Sequence, residues 1–524
     1  MWILDWRHAR QALGPEALDA AYASGMNLSQ RVAMNTVLLV GSRLAVAGSG
    51  LIGIAVVTRY LGPREFGQLT IAIVFVSLFA FLTDSGLWTV AAREIAKRPE
   101  EERSIIANAF TMSQLATVGV VAVAGLFVLT AYAGADRHLV RIGILIMGIQ
   151  ILVAPLGGTV SSHMVARQRA LPAAVGAVLS SLVFLGLLAV VISQGLGFAG
   201  VAACFAITGP ISYLTPLLFA RRTLRVGLAF DLRVWRQMLG WAVPQAGVLL
   251  LGALYFRFDA ILLSLLRSDA QVGLYGVCYR VIDVLTLLPT YLMITVFPEI
   301  ARQQAASARV RELVQGAVSS VLLAVIPICV LLLVFAPEVV EVAGGPRFAA
   351  ATAVLRILLV AIVPLYVNTV FFSSLVALDQ QGRLFRWLLA TLALNVLLNL
   401  ALIPALGARG AALALVVTES VALALGVRLY RAVGAELKIR GPGRLALATM
   451  ITAAAAIGLR AALQAAGGLH VVGGLSATTQ AVLEVVLGGG VTMGIYLAAV
   501  RQLRAIPDDL VSALRAVRHP IERS

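Results

Sequence analysis

Residues 105–132 read IIANAFTMSQLATVGVVAVAGLFVLTAY, a run without one charged side chain. About 20 mainly apolar residues make a helix long enough to cross the hydrocarbon core of a bilayer. Similar blocks recur along the 524-residue chain, which is 60% apolar and 13% charged and has a mean hydropathy of +0.94. Typical soluble domains are about 45–50% apolar and about 25% charged. The composition therefore excludes a water-soluble protein, and with it most soluble enzymes, and predicts an all-α polytopic membrane protein.

Fourteen blocks are long and apolar enough to be membrane spans. We place them near 32–57, 67–92, 105–132, 139–162, 173–193, 200–219, 237–265, 273–298, 313–335, 350–378, 388–405, 410–428, 444–466 and 478–500. The connections between them are short, and the longest on the predicted outer side is a loop near 336–349. The sequence therefore leaves no room for a soluble catalytic domain between spans.

Arginine and lysine fall mainly on one side of these spans. If the N-terminus is cytoplasmic, the cytoplasmic segments carry 29 of the 41 Lys and Arg residues, against seven on the outer side. Cytoplasmic loops of membrane proteins carry such an excess. We therefore expect both termini in the cytoplasm, and we attribute the net charge of +16 to the membrane rather than to nucleic-acid binding.

Residues 1–31 lack the apolar stretch of a secretory signal peptide. Trp2, Ile3, Trp6 and Leu13 recur at roughly helical spacing, which predicts an amphipathic segment on the membrane surface.

Cysteine and histidine give no sign of a metal centre. Cys204, Cys278 and Cys329 lie inside apolar blocks, and the five histidines lie at unrelated spacings in predicted loops and tails. The pattern predicts neither a disulfide framework nor a metal site, and we expect no cofactor.

Two short matches indicate an internal repeat. Residues 64–69 (REFGQL) resemble residues 270–275 (AQVGLY) at an offset of 206, and residues 196–203 resemble residues 406–413 at an offset of 210. Transporters are often built from repeated halves. The predicted organisation is an N-terminal segment (1–31), an N-terminal half (32–219), a cytoplasmic linker (220–236), a C-terminal half (237–428), two accessory spans (429–500) and a cytoplasmic tail (501–524).

Charged residues inside predicted spans are the best candidates for a site, because a charge at bilayer depth costs about 2.5–3.5 kcal/mol or more and normally faces a bundle interior or a water-filled cavity. The candidate substrate-binding residues are Arg43, Asp84, Arg257, Asp259, Arg280, Asp283 and Arg356. Glu419, Arg460 and Glu484 are also charged at this depth. Arg356 and Arg460 lie nearer the outer ends of their spans, and we expect their long side chains to reach the membrane surface.

These charges have two interpretations. Arg280 and Asp283 are three residues apart on one helix and can form a packing pair. Arg43 and Arg257 have no acidic residue three or four positions away, which favours a role in binding oxyanions such as phosphate or acidic sugars. Tyrosines in spans 7 and 8, among them Tyr255, Tyr275 and Tyr279, are equally consistent with sugar stacking and with core packing.

Several motifs resemble those of bacterial oligosaccharide flippases of the polysaccharide transport family. The stretch RYLGPREFG at 59–67 resembles the first-loop signature of that family, and DSGL at 84–87 followed by Arg93-Glu94 resembles the end of its span 2. The stretch 255–259 (YFRFD) is similar to its span 7. The stretch from Asn399 through Ile403-Pro404 to Thr418-Glu419 matches its later pattern. The resemblance covers about residues 30–430.

This family belongs to the multidrug/oligosaccharidyl-lipid/polysaccharide exporter superfamily. The resemblance implies two parallel six-helix lobes in a V around a central cavity, with two further C-terminal helices. It also implies an alternating-access flippase that carries a lipid-linked oligosaccharide, typically linked to undecaprenyl diphosphate, to the outer leaflet of the bacterial cytoplasmic membrane. Membrane lipids and, in some systems, polysaccharide synthesis and polymerisation proteins are the implied partners.

Two other functions are compatible with the composition. A multidrug or cation antiporter of the same superfamily would favour acidic residues at membrane depth, whereas Asp84 alone is found in the N-terminal half. A membrane polysaccharide polymerase needs catalytic acids on a sizeable outer loop, and the predicted loop near 336–349 is short. The sequence therefore favours a flippase that is not an enzyme.

Overall fold

The computed structural model describes residues 28–84, 86–134, 137–167, 169–221, 223–303, 307–432, 442–465 and 476–503. These residues are organised in seventeen α-helices: α1 (Leu28–Asp84), α2 (Leu87–Lys97), α3 (Glu102–Ala131), α4 (His138–Met147), α5 (Ile149–Ala166), α6 (Leu171–Ser193), α7 (Gly197–Ala220), α8 (Leu232–Leu266), α9 (Asp269–Leu285), α10 (Leu287–Ala301), α11 (Ala308–Val334), α12 (Ala336–Gly344), α13 (Ala351–Ala377), α14 (Gln381–Leu406), α15 (Ala408–Ala432), α16 (Pro442–Ala465) and α17 (Ala477–Gln502). The predicted N-terminal segment and C-terminal tail lie almost wholly outside the described residues.

The first two predicted spans form one kinked helix. Helix α1 contains a non-helical residue at Gly62, which has a φ of 73°, and Pro63 follows it. The predicted end of span 2 at residue 92 is wrong. Helix α1 ends at Asp84, and Gly86, with a φ of 72°, turns the chain into α2. A left-handed glycine ends a helix where the apolar pattern alone shows no break.

Three other predictions about boundaries change. The predicted loop near 336–349 contains α12 and a short 3-10 turn at Pro346–Phe348; Pro337 in the first turn suits a helix start. The predicted spans 139–162 and 273–298 are each divided, at Gly148 and at Thr286. Between α14 and α15 the only connecting residue is Gly407, whose φ is 57°.

Twelve helical segments of the described residues are long and apolar enough to cross a membrane. One of them, Gly41–Thr83, contains the kink at Gly62, and α8 is outside this set of twelve. The chain is a multi-pass, all-helical membrane protein, as predicted, whereas the count of fourteen spans stays a prediction.

The two halves of the chain contact each other most closely through the residues of the first repeat match. Gly67 of α1 packs against the backbone of Asp269, and Gly273 of α9 packs against the backbone of Pro63. The offset of 206 that pairs Gly67 with Gly273 also pairs Pro63 with Asp269, so the contact is reciprocal. A Cβ atom on either glycine would overlap the facing backbone, so glycine is required for this approach.

The halves also meet near α2. Met238 and Ala242 at the start of α8 are buried in one cluster with Trp88, Ile95 and further residues of α2, α3 and α5. This packing joins the first turns of α8 to the N-terminal half. The halves of the chain therefore pack against each other at two places, at the glycine contact and at the α2 contact.

Candidate functional site

An arginine cluster, formed by Arg257, Arg280 and Asp283, joins α8 to α9. Nη2 of Arg257 lies 3.5 Å from both carboxylate oxygens of Asp283. Nη1 of Arg280 lies 3.6 Å from Oδ2 of the same carboxylate, one helical turn away. The guanidinium of Arg257 also lies 5.7 Å from the centre of the Tyr279 ring. One carboxylate thus faces two guanidiniums, and the cluster has a net positive charge.

This cluster borders a cavity between the two halves of the chain, here called the central cavity. Its volume is about 440 Å³. Arg280 and Asp283 of α9 line one side, and the opposite side carries the hydroxyl groups of Ser49 and Ser180 together with the aromatic ring of Phe184. The lining is thus mostly apolar and hydroxylic, and the charges among its lining residues belong to the arginine cluster.

A second cavity of about 700 Å³ lies within the N-terminal half. Its lining includes Trp88, Arg93 and Tyr213 from α2 and α7, with the serine hydroxyls of Ser77 and Ser161. Arg93 is its one charged lining residue, and its guanidinium lies 5.5 Å from the Trp241 ring of α8. This cavity therefore adjoins the place where α8 packs against α2.

Asp259 is buried beside Arg257 and Arg280, with which it lines a small cavity, but its carboxylate is hydrogen-bonded to other residues. It is 1% exposed and accepts a short hydrogen bond from the Tyr275 hydroxyl and a second one, of 2.7 Å, from its neighbour's backbone N–H at Ala260. Arg257 and Asp259 thus point to different neighbours. A buried carboxylate with this many donors fixes the packing of α8 on α9.

Glu419 forms a second buried polar centre. Its side chain accepts hydrogen bonds from the Tyr255 hydroxyl at 2.8 Å and from Nδ2 of Asn368 at 2.7 Å. These contacts link α8, α13 and α15. Tyr255, Tyr275 and Tyr279 are all nearly fully buried, so core packing is the interpretation that the structure favours for these rings.

The remaining candidates are not brought to the arginine cluster. Arg43 is exposed on α1, on the helix face that carries Val46, Ala47 and Gly50 of the central cavity three to seven residues further on. Arg356 is exposed on α13 and donates to the carbonyl of Leu333. Asp84 ends α1, but its side chain lies outside the described part of the structure.

Two predictions about other charged residues need correction. Arg460, expected to reach the membrane surface by its length, instead donates to Glu338 at 2.9 Å. His163, expected in a loop, lies in α5, is fully buried and contacts Glu102 and Thr223. Both residues pair with partners far away in the chain, which sequence spacing does not show.

The sequence analysis did not predict a polar contact that lies beside the glycine contact. Arg137 pairs closely with Asp269, whose other carboxylate oxygen accepts a 2.8 Å hydrogen bond from Gln68. Arg137 also donates to the carbonyl of Ser264 at 2.9 Å. We call Gln68, Arg137 and Asp269 the polar lock. The one available signal was position, since residues 137 and 269 both fall in predicted outer connections.

The described residues are those of a multi-pass, helical membrane protein with cavities lined by charged, polar and apolar side chains. Residues 32–304 match the family model for polysaccharide biosynthesis proteins, which is about half of the chain, and the protein belongs to this family. The predicted family resemblance is confirmed.

One relative is the probable low-salt glycan biosynthesis flippase Agl15 of Haloferax volcanii. It is 28% identical over 165 residues, which are 31% of this chain and 35% of that protein. The match therefore spans about a third of the relative's length.

Two solved structures share the fold. The lipid II flippase MurJ in an inward closed conformation superposes with a TM-score of 0.72 at 13% identity, over 90% of this chain and 99% of that one. An inward-facing multidrug resistance MATE family transporter of the MOP superfamily gives 0.60 at 14% identity, over 79% and 96%. At these identities the likeness establishes the fold alone.

Proposed function

We propose that the protein is a flippase that moves a lipid-linked oligosaccharide, linked to undecaprenyl diphosphate, from the inner to the outer leaflet of the bacterial cytoplasmic membrane. The observation that carries the proposal is the arginine cluster at the edge of the central cavity. Membership in the polysaccharide biosynthesis family and the relative named as a glycan biosynthesis flippase support the same substrate class.

The chemistry of the cluster suits a diphosphate. Guanidinium groups bind phosphate oxygens through paired hydrogen bonds, and the low dielectric of a membrane cavity strengthens them. Asp283 balances one of the two positive charges. When no substrate is bound, the arginines would pair with this carboxylate rather than with other acidic residues. The sugars would then contact the serine hydroxyls of the cavity, while the polyprenyl chain stays in lipid.

Alternating access and the orientation with both termini in the cytoplasm belong to this proposal. In that orientation the glycine contact lies toward the outer side and the α2 contact toward the cytoplasm. Opening the α2 contact would admit the head group, and opening the glycine contact would release it. If the protein holds the diphosphate between these two contacts, it can move the lipid without binding the glycan tightly.

The test is transport in reconstituted vesicles with a fluorescent undecaprenyl-diphosphate-linked oligosaccharide, scored by reduction of the label in the outer leaflet. Arg257→Ala and Arg280→Ala are expected to lower the rate about tenfold or more, because each removes charge-assisted hydrogen bonds of ~1.5–3 kcal/mol. Arg356→Ala is the matched control, since the structure places that arginine away from the cluster, and it is expected to retain the wild-type rate.

Two results would contradict the proposal. Wild-type rates in both cluster variants would remove the arginines from the site. Export of cationic dyes by the wild type, without movement of any lipid-linked glycan tested, would instead favour a multidrug transport function, as in the multidrug resistance transporter that shares its fold.

A further inference from the structure

The segment that joins the two halves, residues 224–231 between α7 and α8, is not helical. The backbone N–H groups of Ala229 and Asp231 donate to Oγ1 of Thr111 at 3.0 Å and to Oδ1 of Asn108 at 2.9 Å. These bonds fix the segment along α3. Asp231 itself has φ −119° and ψ 108°.

Side chains along this segment alternate in character. Leu228 is 76% exposed, and Phe230 and Leu232 are each 67% exposed, while Val226 is 40% exposed. The intervening positions are Arg225, Gly227, Ala229 and Asp231. We call the exposed apolar residues, which alternate with polar or small ones up to Leu232 at the start of α8, the apolar edge.

The segment contacts α3 beyond its first turn. Asn108 and Thr111 are six and nine residues beyond Glu102, the first residue of α3, which corresponds to roughly 9–14 Å along the helix at about 1.5 Å per residue. The indole N–H of Trp235 donates to Asn108 at 3.0 Å, and the Phe230 ring lies 4.5 Å from the Trp235 ring. Aromatic residues of this kind concentrate at membrane interfaces.

Charge near the segment is strongly positive. Arg221, Arg225, Arg233 and Arg236 are all exposed. The nearby carboxylate of Asp231 is already engaged, since its Oδ1 accepts from the backbone N–H groups of Arg233 and Val234 at the start of α8. Phospholipid head groups of the cytoplasmic leaflet carry the complementary negative charge.

We propose that Arg221 and residues 223–236 form a binding surface for anionic phospholipids of the cytoplasmic leaflet. The apolar edge, Val226, Leu228, Phe230 and Leu232, enters the acyl-chain region, and the flanking arginines bind head-group phosphates. The inference rests on the orientation within the proposed function but not on the transported substrate. Because this segment connects the halves, bound lipid would hold the hinge of the molecule at a fixed depth.

The test is a spin-label depth series in nanodiscs of equal parts phosphatidylcholine and phosphatidylglycerol. A nitroxide is attached in turn to Val226→Cys, Gly227→Cys, Leu228→Cys, Ala229→Cys and Phe230→Cys. The three native cysteines are buried, and the unsubstituted chain treated with the label measures their background. Accessibility to oxygen should be high at 226, 228 and 230 and accessibility to an aqueous nickel chelate high at 227 and 229. Equal nickel accessibility at all five positions would overturn the proposal.

A second comparison tests the charge. Replacing phosphatidylglycerol by phosphatidylcholine should raise nickel accessibility severalfold at the Leu228→Cys label. The combined change Arg221→Gln, Arg225→Gln and Arg233→Gln should abolish this lipid dependence. The matched control, Arg302→Gln with Arg309→Gln and Arg311→Gln, alters three exposed arginines of another predicted cytoplasmic connection and should preserve it.

The possible results distinguish a failure of the lipid-binding proposal from a failure of the proposed function. A period-two pattern that does not respond to phosphatidylglycerol, or that responds equally in both triple variants, would overturn the anionic-lipid site. Loss of glycan transport with the pattern intact would count against the proposed function and leave the lipid surface standing.

Discussion

Asp283 is the residue on which the chemistry of the central cavity depends. Its carboxylate lies 3.5–3.6 Å from two guanidiniums, which is longer than the roughly 2.7–2.9 Å of a strong charge-assisted hydrogen bond. Arg257 and Arg280 are therefore attracted to Asp283 without being saturated by it. Under the proposed function, both keep N–H donors for the oxygens of an incoming phosphate group, and Asp283 competes with that group for them.

Asp283→Asn is expected to strengthen binding of undecaprenyl diphosphate by about tenfold, equivalent to ~1.4 kcal/mol, because it removes the competing negative charge at nearly constant volume. Equilibrium binding of a fluorescent undecaprenyl diphosphate to the purified protein measures this. Glu299→Gln is the control, since Glu299 pairs with an exposed arginine outside the cavity. Unchanged or weaker binding in a variant of wild-type thermal stability would show that Asp283 does not compete with phosphate.

From the sequence, contacts between charged side chains could be predicted only within a single helix. The spacing of Arg280 and Asp283 predicts their contact, and the structure contains it. Arg257, 26 positions from Asp283, meets it only because α8 packs beside α9. The partner of Asp259 is found in the same way, across helices, at Tyr275. Apolar periodicity identifies which residues are buried, but not which of them face one another.

Helices α1 and α9 form the central element pair of the fold. They approach closely enough for backbone to touch backbone at Gly67 and Gly273, and Gly276 continues the contact against Thr70. Small residues allow membrane helices to pack in this way, since van der Waals contact is a main source of their association. The repeat match in the sequence therefore coincides with a contact surface.

Gly273→Ala is expected to destabilise the closed arrangement by about 1–3 kcal/mol, because the added methyl group meets the carbonyl of Pro63 and one backbone must shift. Thermal unfolding in detergent should show a lower midpoint. Gly119→Ala in α3 is the matched control: nothing lies within 4 Å of its added Cβ, and the higher helix propensity of alanine should leave stability equal or raise it by up to ~1 kcal/mol. Equal midpoints for the two variants would contradict the close contact.

Element boundaries were harder to predict than elements. Apolar blocks located the long helices, whereas the kink in α1 and the break that follows it depend on the backbone conformation of Gly62 and Gly86. The sequence predicted a loop where helix α12 lies, because nine residues are too few to give a clear helical pattern. The boundaries that failed are those set by single glycines or by short helices.

At the scale of the whole molecule, the two contacts between the halves differ in chemistry. Near α2 the contact is made by apolar and aromatic side chains such as Trp88 and Met238. At the other end, the glycine contact is accompanied by the polar lock of Gln68, Arg137 and Asp269. A polar, partly buried contact has a specific geometry and is easily unbalanced by one substitution, which suits the end that opens and recloses in the proposed alternating-access cycle.

The polar lock predicts how access to the central cavity is controlled. Arg137→Ala or Asp269→Ala leaves one charge of a partly buried pair without its partner. We expect this to destabilise the closed state by about 2 kcal/mol or more, which shifts the equilibrium between closed and open states roughly thirtyfold or more toward opening. A Ser180→Cys reporter in the cavity should then react severalfold faster with a membrane-impermeant maleimide applied from the predicted outer side.

Charge reversal distinguishes an ion-pair lock from a merely structural contact. Combining Arg137→Asp with Asp269→Arg restores opposite charges across the same gap and should return much of the slow labelling, although the two side chains differ in length. Arg409→Ala, an exposed arginine on the same predicted side, should not change the rate. The single variants could instead be labelled as slowly as the wild type. The backbone contact between Gly67 and Gly273 would then close this end without help from the ion pair, because the apposed helix backbones alone would exclude the reagent.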